Sequence, residues 1–195
     1  MTRKLILSSP LLEITISRLC QELIENQIDG TETVILGLQP RGIYFAERIA
    51  AELSKHLENP PALGKIDATF YRDDFRRGDP LSPNSTEIPF LVENKRVILV
   101  DDVLATGGTI GAAIELIQRL GGQVTHVLAL LEISGLPGRS KLNEKYPEIQ
   151  KKDIQISNKQ LEARLQRIPE YKKRKKNMLF QRKIHDSIPK IILEN

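Results

Sequence analysis

Residues 97–109 read Val-Ile-Leu-Val-Asp-Asp-Val-Leu-Ala-Thr-Gly-Gly-Thr, and they limit the folds open to this chain more than any other stretch. Four apolar residues in a row, Val97 to Val100, predict a strand buried on both faces, as in a parallel sheet. Two adjacent carboxylates, Asp101 and Asp102, end that run. Thr106, Gly107, Gly108 and Thr109 follow, then an amphipathic helix beginning near Ile110. Glycines at a strand-to-helix turn let backbone N–H groups converge on an anion at the helix N-terminus, where the dipole also favours negative charge. Threonine hydroxyls add donors, and carboxylates accept from vicinal hydroxyls. A sugar phosphate presents that pair of features. The competing reading is an ordinary βα turn whose acids cap the helix.

The flanking pattern agrees with a doubly wound, mainly parallel α/β sheet with helices on both faces. Leu12, Ile16, Leu19, Cys20, Leu23 and Ile24 fall at helical spacing and predict a helix over 10–27. Residues 33–38 read as a buried strand, Gln39-Pro40-Arg41-Gly42 as a turn, and 43–57 as a helix. Alternation over 65–71 predicts a second strand. Residues 72–86 are polar, turn-rich and long for a connection, which is typical of a functional loop. A helix over 110–120, stopped by Gly121-Gly122, precedes an apolar strand over 124–131. Farther on, 151–157 suits a strand and 158–168 a helix, whereas 177–195 carries no clear pattern. No internal repeat occurs. In such folds ligands bind at the carboxyl ends of the strands.

At 195 residues the chain has the length of one domain with a self-sufficient core. One cysteine, Cys20, rules out an internal disulfide and fits a reducing cytoplasm. Its apolar neighbours on the first helix make it a core residue. Three scattered histidines offer no zinc-like spacing. No apolar run approaches the ~20 residues of a membrane helix, and the stretch at 4–7 is too short for a signal peptide. The net charge of +4 is uneven: residues 138–195 hold 16 Lys or Arg against 7 Asp or Glu, whereas the first 137 hold 13 against 18. That basic excess, densest in the run at 172–176, points to RNA or another acidic ligand, or to a solvated surface.

The 97–109 stretch resembles the 5-phosphoribosyl-1-pyrophosphate (PRPP) motif of the type I phosphoribosyltransferases. Earlier segments resemble the pyrimidine operon attenuator family, whose members also have uracil phosphoribosyltransferase activity. The similarity lies in residues 14–19, 37–43, 68–77 (Ala-Thr-Phe-Tyr-Arg-Asp-Asp-Phe-Arg-Arg) and 90–95, and it covers about the first 104 residues. From Ala105 onward the pattern changes. Where that family continues Tyr-Thr-Gly-Arg, this chain has Ala105-Thr106-Gly107-Gly108, and Glu132-Ile133-Ser134-Gly135 replaces an Asp-Arg-Gly-His-like segment. Through 120–122 and 138–142 the chain is similar to adenine phosphoribosyltransferases, so residues 105–142 resemble that enzyme. Beyond 142 neither family is recognisable.

The resemblance implies a Mg²⁺-dependent enzyme in which a nucleobase nitrogen displaces pyrophosphate from C1 of PRPP. It also implies a small hood and a lid loop. Residues 1–150 would form the phosphoribosyltransferase core, with the basic segment 151–195 completing the sheet or hood. By the same resemblance, Pro40, Arg41 and Gly42 form the pyrophosphate turn, with Arg41 on the leaving group. The lid is 72–86, with Arg72, Arg76 and Arg77 approaching PRPP and Asp73 and Asp74 ordering the loop. Asp101 and Asp102 would hold the ribose hydroxyls directly or through Mg²⁺. Val103, Leu104, Ala105, Thr106, Gly107, Gly108 and Thr109 would surround the phosphate. Expected partners are PRPP, a nucleobase, RNA and a second copy of the chain, in the cytoplasm. Three functions compete: uracil to UMP with operon regulation, adenine to AMP, and an RNA-binding nucleotide sensor with little turnover.

Overall fold

A computed structural model describes residues 8–69, 84–133 and 135–153. Five strands, β1 (Thr33–Leu38), β2 (Ala62–Ile66), β3 (Arg96–Leu104), β4 (Gln123–Glu132) and β5 (Gln150–Asp153), form one sheet in the order β2-β1-β3-β4-β5. Each neighbouring pair runs parallel. Among the described residues four helices lie between or before them: α1 (Ser9–Glu25), α2 (Gly42–Leu53), α3 (Gly108–Arg119) and α4 (Gly138–Lys145).

The central strands are apolar without interruption because both faces are covered. Every residue of β1 is buried. On one face α1 and α2 pack Leu19, Leu23, Ile49 and Leu53 onto Ile35, Ile98 and Leu128. On the other, α3 and α4 bring Ile114, Ile117 and Leu142 onto Leu36, Leu99 and Val127. The doubly wound fold expected from the sequence is therefore the one observed. The termini of α3 follow from its glycines. Gly121, at φ 78°, donates to Gln118 O at 3.0 Å, and Gly122 N–H returns to Ile117 O at 3.0 Å, which is a Schellman stop.

Several boundaries differ from the sequence reading. β3 does not end at Val100 but runs through both acids to Leu104. α3 starts two residues earlier than expected, at Gly108, and α2 stops at Leu53, where Lys55 and His56 switch to bonds three residues back. β2 occupies Ala62–Ile66 rather than 65–71, because Asp67 Oδ1 accepts from Thr69 N–H at 2.7 Å and turns the chain out of the ladder. β5 realises the start of the strand expected at 151–157. α4 was not anticipated, since only Gly138 and Leu142 of it are buried and its surface is polar throughout. The lid expectations (Arg72, Asp73, Asp74, Arg76, Arg77), the helix at 158–168 and the run at 172–176 lie outside the described residues.

Cys20 is fully buried, and its thiol faces Ile49 O at 3.7 Å. Burial first, then the charge of Glu52, pushes its pKa from 9.0 up to about 12. The thiolate is thus suppressed in the folded state. Native protein should resist a thiol reagent such as Ellman's at pH 8, reacting only after denaturant unfolds it. Because the folded value is the higher one, the associated stability is complete below pH 9 and is lost as pH rises toward about 12. Urea titrations across that range read the loss.

Candidate active site at the tips of β1 and β3

In the order β2-β1-β3-β4-β5, strand succession reverses between β1 and β3. The chain leaving β1 enters α2 on one face, and the chain leaving β3 enters α3 on the other. Connections that part in this way open a crevice at the strand tips, the usual ligand position in such sheets. The two turns singled out in the sequence, 39–42 and 105–109, border that crevice.

Their approach is set by a glycine. A Cβ on Gly42 would lie 2.7 Å from Val100 O and 2.8 Å from Asp101 Cα, so only glycine lets the first turn of α2 sit against β3. The contact carries Arg41, the residue before α2, onto the acids. Arg41 Nε stands 3.0 Å from Asp102 Oδ2, with the side chains 15% and 8% exposed. A dry ion pair of this kind is well coupled, and removing one partner from such a pair costs about 3–5 kcal/mol. The preceding Gln39–Pro40 bond is cis, and Pro40 is exposed.

The two carboxylates have unlike surroundings. As consecutive strand residues they leave the backbone on opposite sides. Asp102 N–H donates to Asp101 Oδ1 at 2.8 Å. Asp101 is 6% exposed, and its pKa is raised well above the usual carboxylate range, first by desolvation and then by the charge of Asp102. Burial and the neighbouring charge thus work against ionisation of Asp101, while Asp102 faces the guanidinium. Among the described residues no three His, Cys, Asp or Glu side chains converge on a point that could hold a metal ion. Mg²⁺ commonly uses one or two carboxylates together with substrate phosphates, and Asp101 and Asp102 are the carboxylates here that could hold it.

The second turn divides its glycines by role. Gly107 has φ 79°, and a Cβ there would meet Gly138 O at 3.1 Å. Gly138 in turn donates its N–H to Ala105 O at 3.1 Å, so the start of α4 supports the loop from beneath. A Cβ on Gly108 would find only Thr106 Oγ1, at 3.9 Å. Gly108 opens α3, whose first N–H groups have no partners within the helix. Thr106 and Thr109 are half-buried beside them. Val103 and Leu104 place their side chains in the core. Sequence reasoning missed the supporting role of Gly138, together with Arg139, which donates from Nε to Glu132 Oε2 at 2.7 Å at the tip of β4. The Gly138–Arg139 pair was visible as sequence, but nothing local shows that it underlies a loop more than 30 residues earlier.

This architecture is a doubly wound parallel sheet with two βα turns bordering a crevice at its switch point. The chain belongs to the phosphoribosyl transferase domain family, whose profile matches residues 3–165. It is 38% identical over 128 residues to the "Bifunctional protein PyrR" of Synechocystis, a match covering 65% of this chain and 72% of the relative. The protein of the same name from Enterococcus faecalis OG1RF is 35% identical over 131 residues, covering 67% and 74%. Among solved structures, adenine phosphoribosyltransferase from Thermoanaerobacter pseudethanolicus superposes with a TM-score of 0.53 at 25% identity, covering 75% of this chain and 81% of that one. The Leishmania donovani enzyme superposes at 0.55 and 23% identity, covering 75% and 64%, and shares the fold. The family makes the chain an enzyme of the glycosyltransferase type. No helix among the described residues is long and apolar enough to cross a membrane.

Two stability measurements follow. Gly107→Ala, forced to keep a positive φ, should lose roughly 1–2 kcal/mol in urea unfolding, whereas Gly108→Ala should match the parent. Asp101→Asn mimics the neutral acid and retains the acceptor for Asp102 N–H. Since Asp101 has the higher pKa when folded, its contribution is complete at acid pH and is lost as pH rises. The variant should therefore melt above the parent at pH 7, with the gap closing as pH falls below the ordinary carboxylate range.

Proposed function

We propose that this protein transfers the phosphoribosyl group of PRPP to uracil, forming UMP and pyrophosphate. One observation supports it most directly: the 39–42 turn packs onto Asp101 and Asp102, just ahead of the 105–109 turn, at the β1/β3 reversal in a chain 38% identical to a PyrR protein. Uracil N1 attacks C1 of the ribose while the C1–O bond to pyrophosphate breaks. The electron pair leaves with pyrophosphate, and the N1 proton passes to solvent or the leaving group. Charge therefore builds on pyrophosphate and positive character on the ribose ring, so catalysis is chiefly electrostatic.

In this reading the open N-terminus of α3, with Thr106, Gly108 and Thr109, binds the 5′-phosphate. Asp101 and Asp102 address the ribose hydroxyls. Arg41 stabilises the departing pyrophosphate, and its ion pair with Asp102 sets that cation beside the acids assigned to the ribose. Mg²⁺, held by these acids and substrate oxygens, would supply further neutralisation of the pyrophosphate charge. Arg72, Arg76 and Arg77 add positive charge from the segment expected to cover the site. The relatives' name is "bifunctional". We assign the second role to RNA binding in pyrimidine-operon regulation, with the basic segment beyond residue 138 supplying phosphate contacts. A cytoplasmic homo-oligomer completes the proposal.

The solved structures similar to this chain include adenine phosphoribosyltransferases, so adenine is the reading to beat. Pyrophosphate release should be followed with Mg²⁺-PRPP and each of uracil, adenine, guanine and hypoxanthine. Uracil should support turnover, and UMP should bind more tightly than AMP. AMP tighter by about tenfold, or ~1.4 kcal/mol, would transfer the assignment to purine salvage. Gly108→Val should abolish PRPP binding by calorimetry while melting like the parent, because its side chain would occupy the phosphate position rather than protein.

A further inference from the structure

The carboxylate of Asp67, just past β2, accepts from residues far apart in sequence. Oδ1 takes Thr69 N–H at 2.7 Å and also the Thr69 hydroxyl. Oδ2 takes Asn84 N–H and, at 3.4 Å, the Asn84 side-chain amide. The Asp67 backbone N–H donates to Thr86 Oγ1 at 3.1 Å. Four donors occupy one carboxylate, about the capacity of its lone pairs. The stretch fixed in this way reaches the crevice through one more bond, from Gln39 Nε2 to Ser85 O at 3.3 Å. Gln39 N–H also donates to Ile66 O at 2.9 Å, next to Asp67 in the chain. Gln39 is thus held on both its backbone and its side chain by the region that Asp67 organises, two residues before Arg41.

We propose that Asp67 is a positioning residue for the Gln39-Pro40-Arg41 turn. Through Asn84 and Ser85 it fixes the Gln39 side chain, and thereby the placement of the Arg41 cation relative to pyrophosphate. Asp67 itself touches neither substrate nor product. The inference rests on reading that turn as the pyrophosphate side of the site. It differs from a purely structural role in predicting a selective defect. Ligands that reach the turn feel Asp67, while ligands confined to the α3 side do not.

Asp67→Asn is the discriminating variant. An amide keeps one acceptor for Thr69 but sets an NH₂ against the two Asn84 donors, at nearly unchanged volume. Calorimetry should compare pyrophosphate with whichever of UMP or AMP the parent binds. Pyrophosphate affinity should fall about tenfold while nucleotide affinity stays within about twofold, and the KM for PRPP should rise more than kcat falls. Gln39→Ala should reproduce the pattern, and the double variant should be no worse than the poorer single one, since both act along one chain of contacts. Equal weakening of both ligands, no change in either, multiplying effects, or a parent without pyrophosphate affinity would each overturn the proposal. If Asp67→Ala does not fold, the isosteric Asn variant still decides. A parent that binds pyrophosphate but turns over no base would defeat the proposed reaction and leave the Asp67 comparison standing.

Discussion

The packing of α2 against β3 at Gly42 governs the geometry of the whole crevice. A helix start that would otherwise stand off by the radius of a side chain instead touches the Val100 carbonyl and the Asp101 Cα. That closeness seats Arg41 on Asp102 and burns off the water around two neighbouring acids. Without it the acids would be ordinary solvated carboxylates at a strand tip, and the arginine a surface cation. β1 and β3 end side by side as paired parallel strands, and this one contact then sets the charge between their tips.

Placing two carboxylates in a dry crevice is unfavourable unless their charge is managed, and this chain manages each differently. Asp101 is driven toward neutrality by desolvation and by its neighbour. Asp102 is offset by a guanidinium at 3.0 Å. The net result is two carboxylates and a guanidinium in a small volume, an arrangement that can meet hydroxyls and phosphates with little reorganisation.

The strand–loop–helix from β3 into α3 was legible because a strand covered on both faces must be apolar throughout, and the glycines that follow have few other uses. The central sheet order then followed from short βα units. Legibility failed where a single side chain decided the outcome. Ile66, Ala68 and Phe70 alternate as a strand should, yet Asp67 captures the Thr69 N–H and ends β2. α4 buries so little that no periodicity announces it. The unlike states of Asp101 and Asp102 depend on burial and on an arginine 60 residues earlier, information that spacing does not carry. Asp67's reach to Asn84 is equally invisible, since it joins two points in space rather than in pattern.

The seat of the 105–109 loop on Gly138 bears on how such chains can be recombined. A loop whose backbone is braced by the next βα unit is not a portable cassette. Grafted alone onto a different fourth helix, it would meet a Cβ where Gly138 leaves room, and its carbonyl at Ala105 would lose a donor. The heritable module is therefore the span from the loop to the brace. Physical interlock of this kind makes residues 105–138 one mechanical unit in any exchange of parts between chains of this fold.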